Sequence, residues 1–383
     1  NIFMNQELKS LFMLDPKITH LNHGSFGACP KPIFNELIKW QKKLEMEPTK
    51  FLAFDVYDYL EESRYYLSKY IDCNKDDIIF STNPSTALNT VIKSLDLKKN
   101  DEILTTNHEY GALDKTWKFI CDKTGAKYIQ SNIPLPFLSE EDFIKRLESK
   151  ITSKTKIIFA SHITSSTAII FPAKKISALA KKYNLFCIID GAHAPAFIDL
   201  SIKKINCDIY VGACHKWMCS PKGVSFLYVK KKHQNKIDPL VVSWGYDSNL
   251  PSKSKFLDYH QWQGTKDMSA YLTIPFTIKF LNENGWTEIR EKCKKINIWA
   301  RNEINTLLNK KNICDEKFLG QMSSIYMDKK ANPENNIEFY EKYKIQVPFI
   351  LWNDKSFFRI SIQAYNTKED ICKLLDALRK EML

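Results

Sequence analysis

The chain has 383 residues, more than one small core accommodates, and 44% of them are apolar, so a large interior split over two domains is expected. It carries 56 basic and 44 acidic residues, but the lysines are scattered as short pairs along amphipathic segments, which argues against a nucleic-acid stripe. Ten cysteines without a regular framework exclude a secreted disulfide scaffold, and no apolar run approaches the roughly 20 residues of a membrane helix.

The first thirty residues are rich in Pro, Gly and Asn and are expected to wrap over the body. The opening "NIFMNQELKS" has no signal-peptide pattern, so the cytoplasm is the expected compartment. From about residue 76 to 229 short apolar runs alternate with helical periodicity. The predicted strands are "DIIFS", "DEILTT", "AKYIQS", "TKIIFAS", "LFCIID", "CDIYVGA" and "GVSFLYV". Amphipathic stretches lie between them at 85–95, 110–123, 139–150 and 172–183, the third opening on the capping-box-like "SEED". Such alternation predicts an α/β fold whose mostly parallel sheet is covered on both faces, with chemistry at the carboxyl ends of its strands. Past a boundary near 250–270 the pattern changes to α+β. Helices are predicted at 269–284 and 287–308, strands at "IQVPFILW" and "SFFRISI", and a last helix at 367–382.

Three features converge on one chemistry. "LFCIIDGAHAP" ends an apolar strand on Asp190, with His193 three residues on. "CDIYVGACHKWM" ends another on Cys214, His215 and Lys216. A buried ammonium is costly unless paired or neutralised, so a lysine here is either on the surface or in use. An acid and a lysine at neighbouring strand ends suit pyridoxal phosphate, which needs an amine for its aldehyde and a carboxylate facing its pyridine nitrogen. The phosphate needs a cradle, and "STNPSTALN" places Ser85 and Thr86 at a helix start, where free N–H groups bind anions. Singly, each has an ordinary reading as a cap, a turn or a loop residue. Cys207, Cys214, His215 and Cys219 fit no zinc spacing, and no metal is expected.

In order along the chain, "LNHGSFGACP", "STNPSTALN", "NHEYGA", "SHITSST", "DGAHAP", "ACHKWMCSPKG", "WQGT", "IQVPF" and "FRISIQAYNT" resemble the class V aminotransferase family of fold-type I pyridoxal phosphate enzymes. The nearest resemblance is to its isopenicillin N epimerase-like branch, which also contains C–S lyases. The resemblance implies a seven-stranded, mostly parallel sheet. It implies an arm at 1–25 packing with the small domain, a cofactor domain at 26–265 and a small C-terminal domain at 266–383. Lys216 is then the Schiff-base lysine and α-proton base, Asp190 the partner of the pyridine nitrogen, and Tyr110 the stacking ring and a candidate acid. His193 and Thr164 or Ser165 lie near the phenolic oxygen. Ser85, Thr86 and His215 contact phosphate, as does Cys214 if it stands in for the serine of relatives. Gly264 and Thr265 complete the phosphate site of a second subunit, which implies a homodimer. Arg359 grips the substrate carboxylate, a task suited to a planar guanidinium, and Asn22 and His23 close over the substrate.

The reaction implied is α-proton abstraction from an amino acid, followed by epimerisation or C–S β-elimination, with transamination as an alternative. A cysteine desulfurase is disfavoured, because the interval before Arg359 holds no cysteine, Cys314 lying too early and Cys372 too late. A non-catalytic relative acting as a binding module is the competing class, opposed by the presence of Lys216, Asp190 and Arg359 together.

Overall fold

The computed structural model describes residues 6–382. Seven strands form the main sheet: β1 (Ile78–Ser81), β2 (Glu102–Thr106), β3 (Lys127–Ser131), β4 (Thr155–Ser161), β5 (Phe186–Asp190), β6 (Ile209–Ala213) and β7 (Ser225–Val229). Their order is β1-β7-β6-β5-β4-β2-β3, and β7 alone runs antiparallel to the rest. This is the architecture of fold-type I pyridoxal phosphate enzymes. β4 shows why these strands read as unbroken apolar runs. Ile157 and Phe159 enter the core on one face, and Ile158 and Ala160 enter the core on the other.

Helices cover both faces. α1 (Lys31–Met46) and α2 (Val56–Tyr70) precede the sheet, and neither was predicted. α3 (Pro84–Ser94), α4 (Gly111–Thr124), α5 (Glu140–Glu148) and α6 (Ala173–Lys182) fall where periodicity placed helices. α3 and α5 start on Asn83 and Ser139, whose side chains accept the N–H of Thr86 and Asp142.

The C-terminal part contains α7 (Ile274–Glu283), α8 (Trp286–Leu308), α9 (Pro333–Tyr343), α10 (Lys368–Met382) and a three-stranded antiparallel sheet. Its strands are β8 (Met322–Met327), β9 (Phe349–Trp352) and β10 (Lys355–Ser361), in the order β9-β10-β8. α7 packs against α1 and α2, although it follows the expected boundary at 265. The predicted strand "IQVPFILW" is two elements. Ile345–Gln346 pairs in parallel with Thr19–His20 of the arm, and Pro348 separates it from β9. β8, which the sequence reading missed, mixes Ser323 and Ser324 among apolar residues.

The arm runs from this pairing to Leu21, whose carbonyl accepts the Ser361 N–H, and then to Gly27. Gly27 has φ +70°, and a Cβ there would lie 2.0 Å from the His215 carbonyl oxygen, so only glycine lets the arm close on the Lys216 loop. Gly223 has φ +87° with open space around it. Gly27→Ala should therefore cost roughly 2 kcal/mol or more, against about 1 for Gly223→Ala, whose cost is conformational alone. Urea unfolding of the two variants checks the difference.

Candidate active site

β1, β2, β4, β5 and β6 all deliver their carboxyl ends to one edge of the sheet. In the register there, Ser161 ends β4 opposite Asp190, and Asp190 stands opposite Val211 of β6. The chain leaves β6 through a sharp turn fixed by one acceptor: the Val224 carbonyl takes the N–H groups of Cys214 and His215, at 3.0 and 3.1 Å. His215 Nδ1 donates to the same oxygen at 2.8 Å. This turn carries Lys216 back over the strand ends.

Lys216 Nζ lies 3.3 Å from His193 Nε2. Loss of water and the Arg359 charge lower its pKa to about 7, with Asp190 partly opposing them. Burial raises the pKa of Asp190, opposed by the Ala192 N–H at 3.0 Å and by the Lys216 charge. Burial also drives His193 well below its ordinary value, helped by Lys216 and Arg359.

Arg359 comes from β10, opposite Ser324. Its Nη1 donates to the Ser165 carbonyl at 2.7 Å and to Ser165 Oγ at 3.3 Å, and its Nη2 to Ser25 Oγ at 2.9 Å and Asn22 Oδ1 at 3.4 Å. All four acceptors are neutral oxygens. Nε is buried without a partner, and burial lowers the pKa of the guanidinium to about 10. A buried cation held only by neutral acceptors is short of an anion.

Tyr110 precedes α4, is 47% exposed and lies within electrostatic range of Arg359. Ser85 and Thr86 open α3, but the Thr86 N–H is taken by Asn83 Oδ1 at 2.8 Å, which leaves its hydroxyl. His215, with Nδ1–H committed to Val224, turns a lone pair on Nε2 outward from that bond unless it gains a proton. Cys214 is buried and its thiol is pushed up by burial.

Other expected residues are placed differently. The Thr164 hydroxyl is enclosed by Thr167 Oγ1 at 2.7 Å and the Ile169 N–H at 2.9 Å, so Ser165 is the one that faces Arg359. His23 is buried, with Nδ1 at 3.0 Å from the Tyr365 hydroxyl and Nε2 at 2.9 Å from the Lys216 carbonyl. It braces the lysine backbone from behind, while Asn22 beside it reaches Arg359. Gly264 and the exposed Thr265 have no contact with Lys216 of their own chain among those described. Nearby Trp262 instead lines a cavity of about 830 Å³ with Tyr57, Arg64 and Trp244.

Glu109 was missed by sequence reasoning. It is buried at the end of β2, where Oε2 accepts the Ser161 N–H and Oγ–H at 2.8 and 2.7 Å and Oε1 accepts the Thr106 hydroxyl at 2.6 Å. Burial raises its pKa to about 8, and Asp190 adds to the rise. The available signal was an acid between His108 and Tyr110, just past a buried strand.

An amine free to lose its proton, a buried carboxylate beside it and a helix start at the same sheet edge fit pyridoxal phosphate, and together they define an enzyme dependent on that cofactor. Residues 49–374 match the class-V aminotransferase family, and the chain belongs to it. It is similar to isopenicillin N epimerase of Amycolatopsis lactamdurans, 27% identical over 96% of both chains. It is also similar to hercynylcysteine sulfoxide lyase of Schizosaccharomyces pombe, 26% identical over 97% of this chain and 96% of that one. The probable chloroplastic L-cysteine desulfhydrase of Arabidopsis thaliana is 25% identical over 99% and 86%. Among solved structures, the cystine C–S lyase C-DES with cysteine persulfide superposes with TM-score 0.83 at 18% identity, covering 95% of this chain and 98% of that one. The apo cysteine desulfurase of Thermococcus onnurineus NA1 gives 0.84 at 17% identity, over 99% and 98%.

Glu109 sets a pH test. Its folded pKa lies above the unfolded value, so its contribution is full below about pH 4.3 and is lost as pH rises through about 8. The stability of the apo protein relative to its Glu109→Gln variant should fall across that window, by at most a few kcal/mol. Denaturant midpoints of the two proteins at pH 5 and 8.5 measure it.

Proposed function

We propose that the protein removes the α-proton of a sulfur-bearing amino acid and expels the sulfur group from Cβ. The observation that carries this reading is the pairing of Lys216, an amine with pKa near 7, with Arg359, a buried cation without an acid, on one side of the arm. Pyridoxal phosphate, when bound, supplies an aldehyde and an electron sink for the substrate α-carbon.

The residues divide the remaining work. Asp190 would meet the pyridine nitrogen and keep it protonated. Ser85 and the Thr86 hydroxyl would hold the phosphate, and His215 would join them where the phosphate supplies the proton that its Nε2 lacks. Arg359 would receive the substrate carboxylate on Nε–H, the one N–H that its four neutral acceptors leave free, and on an Nη2 N–H taken over from the long 3.4 Å bond to Asn22 Oδ1. Ser165, Ser25 and Asn22 fix the guanidinium plane, and so the direction from which the α-carbon is presented. The Lys216 amine takes the proton from Cα. The Cβ–S bond then breaks, the electron pair leaves with sulfur, and the released enamine hydrolyses to pyruvate and ammonia.

Elimination needs one base on one face, and the Lys216–His193 pair supplies it. Epimerisation is the second reading. It needs an acid on the opposite face, and Tyr110, accessible and close to Arg359, is the group that favours it. Incubation with L-cysteine, cystine and cysteine S-oxides in D₂O separates the two. Pyruvate in equal amount with the sulfur product is expected. An amino acid that exchanges its α-proton and inverts while keeping side chain and amine would overturn the lyase reading. Arg359→Lys should lower kcat/KM about a hundredfold, the cost of exchanging a charged fork for a point charge. Steady-state kinetics on a purified, cofactor-loaded variant gives the value.

The working unit in this proposal is a homodimer. Two observations support it: the loop at Gly264 and Thr265 serves no described site in its own chain, and the nearby Val242, Trp244 and Leu250 are 66, 85 and 91% exposed. All ten cysteines are free, which supports a reducing compartment such as the cytoplasm. Among the described residues no helix is long and apolar enough to cross a membrane.

A further inference from the structure

Trp217 follows Lys216 directly and is completely buried. Its ring is held by Phe197, edge-on at a centroid distance of 4.8 Å, and by His23 at 5.1 Å. Its Nε1 donates to His193 Nδ1 at 3.2 Å. An indole nitrogen only donates, so His193 Nδ1 must carry a lone pair. The imidazole is then neutral, and its one proton is on Nε2. That nitrogen faces Lys216 Nζ at 3.3 Å. An ammonium there would set two donors against each other, whereas a neutral amine accepts the bond.

We infer that Trp217 is a positioning residue: its indole N–H locks His193 in the Nε2–H tautomer, and that tautomer holds the Lys216 amine as a lone-pair acceptor. The inference deepens the proposed function and rests on Lys216 being the reactive amine. It gives the Lys-Trp dipeptide a joint purpose. The lysine side chain enters the site while the next side chain turns under it and sets the neighbour it will meet. Burial and the Arg359 charge disfavour the ammonium without direction, and Asp190 favours it. His215 and His23 also sense the Lys216 charge, and burial keeps both well below the ordinary histidine value. Of these groups, the locked imidazole acts at the lone pair itself.

The sign of the effect follows. Without the indole donor, His193 can shift its proton to Nδ1 and accept from an ammonium through Nε2. Trp217→Phe should therefore make Lys216 harder to deprotonate. The apo protein is mixed with pyridoxal phosphate, and the rate at which the cofactor absorbance shifts is followed against pH. In the wild type the rate should rise through an acid limb near pH 7. In Trp217→Phe the limb should move up by about 0.5 to 1 pH unit, the size of one hydrogen bond gained by the charged form. His193→Gln, whose amide oxygen can accept from an ammonium, should move it the same way, and the double variant should add no further shift. A folded Trp217→Phe protein with an unmoved limb overturns the inference, and so do fully additive shifts. Imidazole nitrogen chemical shifts of the wild-type apo protein decide the matter if the variant does not fold. An unprotonated Nδ1 and a protonated Nε2 are expected, and the reverse tautomer defeats the proposal. If the wild type does not capture pyridoxal phosphate at any pH, it is the proposed function that fails, and the tautomer measurement still stands.

Discussion

Taking one lysine amine out of water is the constraint around which the rest of the structure is arranged. An ammonium at Lys216 meets a desolvated setting, a second cation at Arg359 and, on our reading, an N–H aimed at it. Only Asp190 pulls the other way. A free amine at neutral pH is otherwise a rare species, since the ordinary lysine value lies near 10.4. Nucleophilic capture of an aldehyde and removal of an α-proton both need that species. The enzyme obtains it by packing, and the packing comes from three separate parts of the chain.

The arm, expected from the sequence to wrap over the body, is the first of the three. It adds a two-residue strand to Ile345–Gln346, passes its Leu21 carbonyl to Ser361, and ends with Gly27 against the His215 carbonyl. Along this path Asn22 and Ser25 reach Arg359 while His23 reaches the Lys216 carbonyl. One turn of chain therefore spans both the Lys216 backbone and the Arg359 guanidinium. The C-terminal sheet is tied to the main sheet through the same region. Ser324 donates to the Ser166 carbonyl, and the Trp352 indole donates to the Asn107 carbonyl. A shift of β10 that moved Arg359 would thus strain the loops after β2 and β4.

What the sequence revealed follows from this geometry. Six strands of the main sheet were readable because they are buried on both faces and bounded by turn residues, and the half-exposed edge strand β3 was readable from its place in the strand–helix alternation. Asp190 and Lys216 were readable because polar residues at the ends of apolar runs stand out. Legibility failed where burial is one-sided or contacts are distant. α1 fully buries only Ile33 and Leu44, and the inner stripe of α2 includes Ser63, Arg64 and Ser68, so neither stands between apolar strands as a clear core helix. β8 hides two serines in its core-facing run. His23 had an obvious motif but its partners, Tyr365 and the Lys216 carbonyl, lie hundreds of positions away, and no local pattern says which way an imidazole turns. Glu109 was passed over because two of its three donors come from Ser161, on a strand that neighbours β2 only in the fold.

The charges of the site balance only with a ligand present. Without one, Arg359 and Asp190 share the region with a neutral amine, and Glu109 is a second buried acid pushed toward its protonated form. A protonated ring nitrogen arriving beside Asp190 would bring positive charge near two carboxyl groups that flank the end of β4, which makes their ionisation less costly. A substrate carboxylate arriving at Arg359 removes the other deficit. The apo site is electrostatically unsatisfied at both ends, in opposite senses and at a fixed spacing. On the proposed function, pyridoxal phosphate would bring a positive ring nitrogen for Asp190 and an α-amino acid would bring a carboxylate for Arg359. On the same proposal, selection of that substrate class rests on the positions of Asp190 and Arg359 before any side-chain pocket is considered.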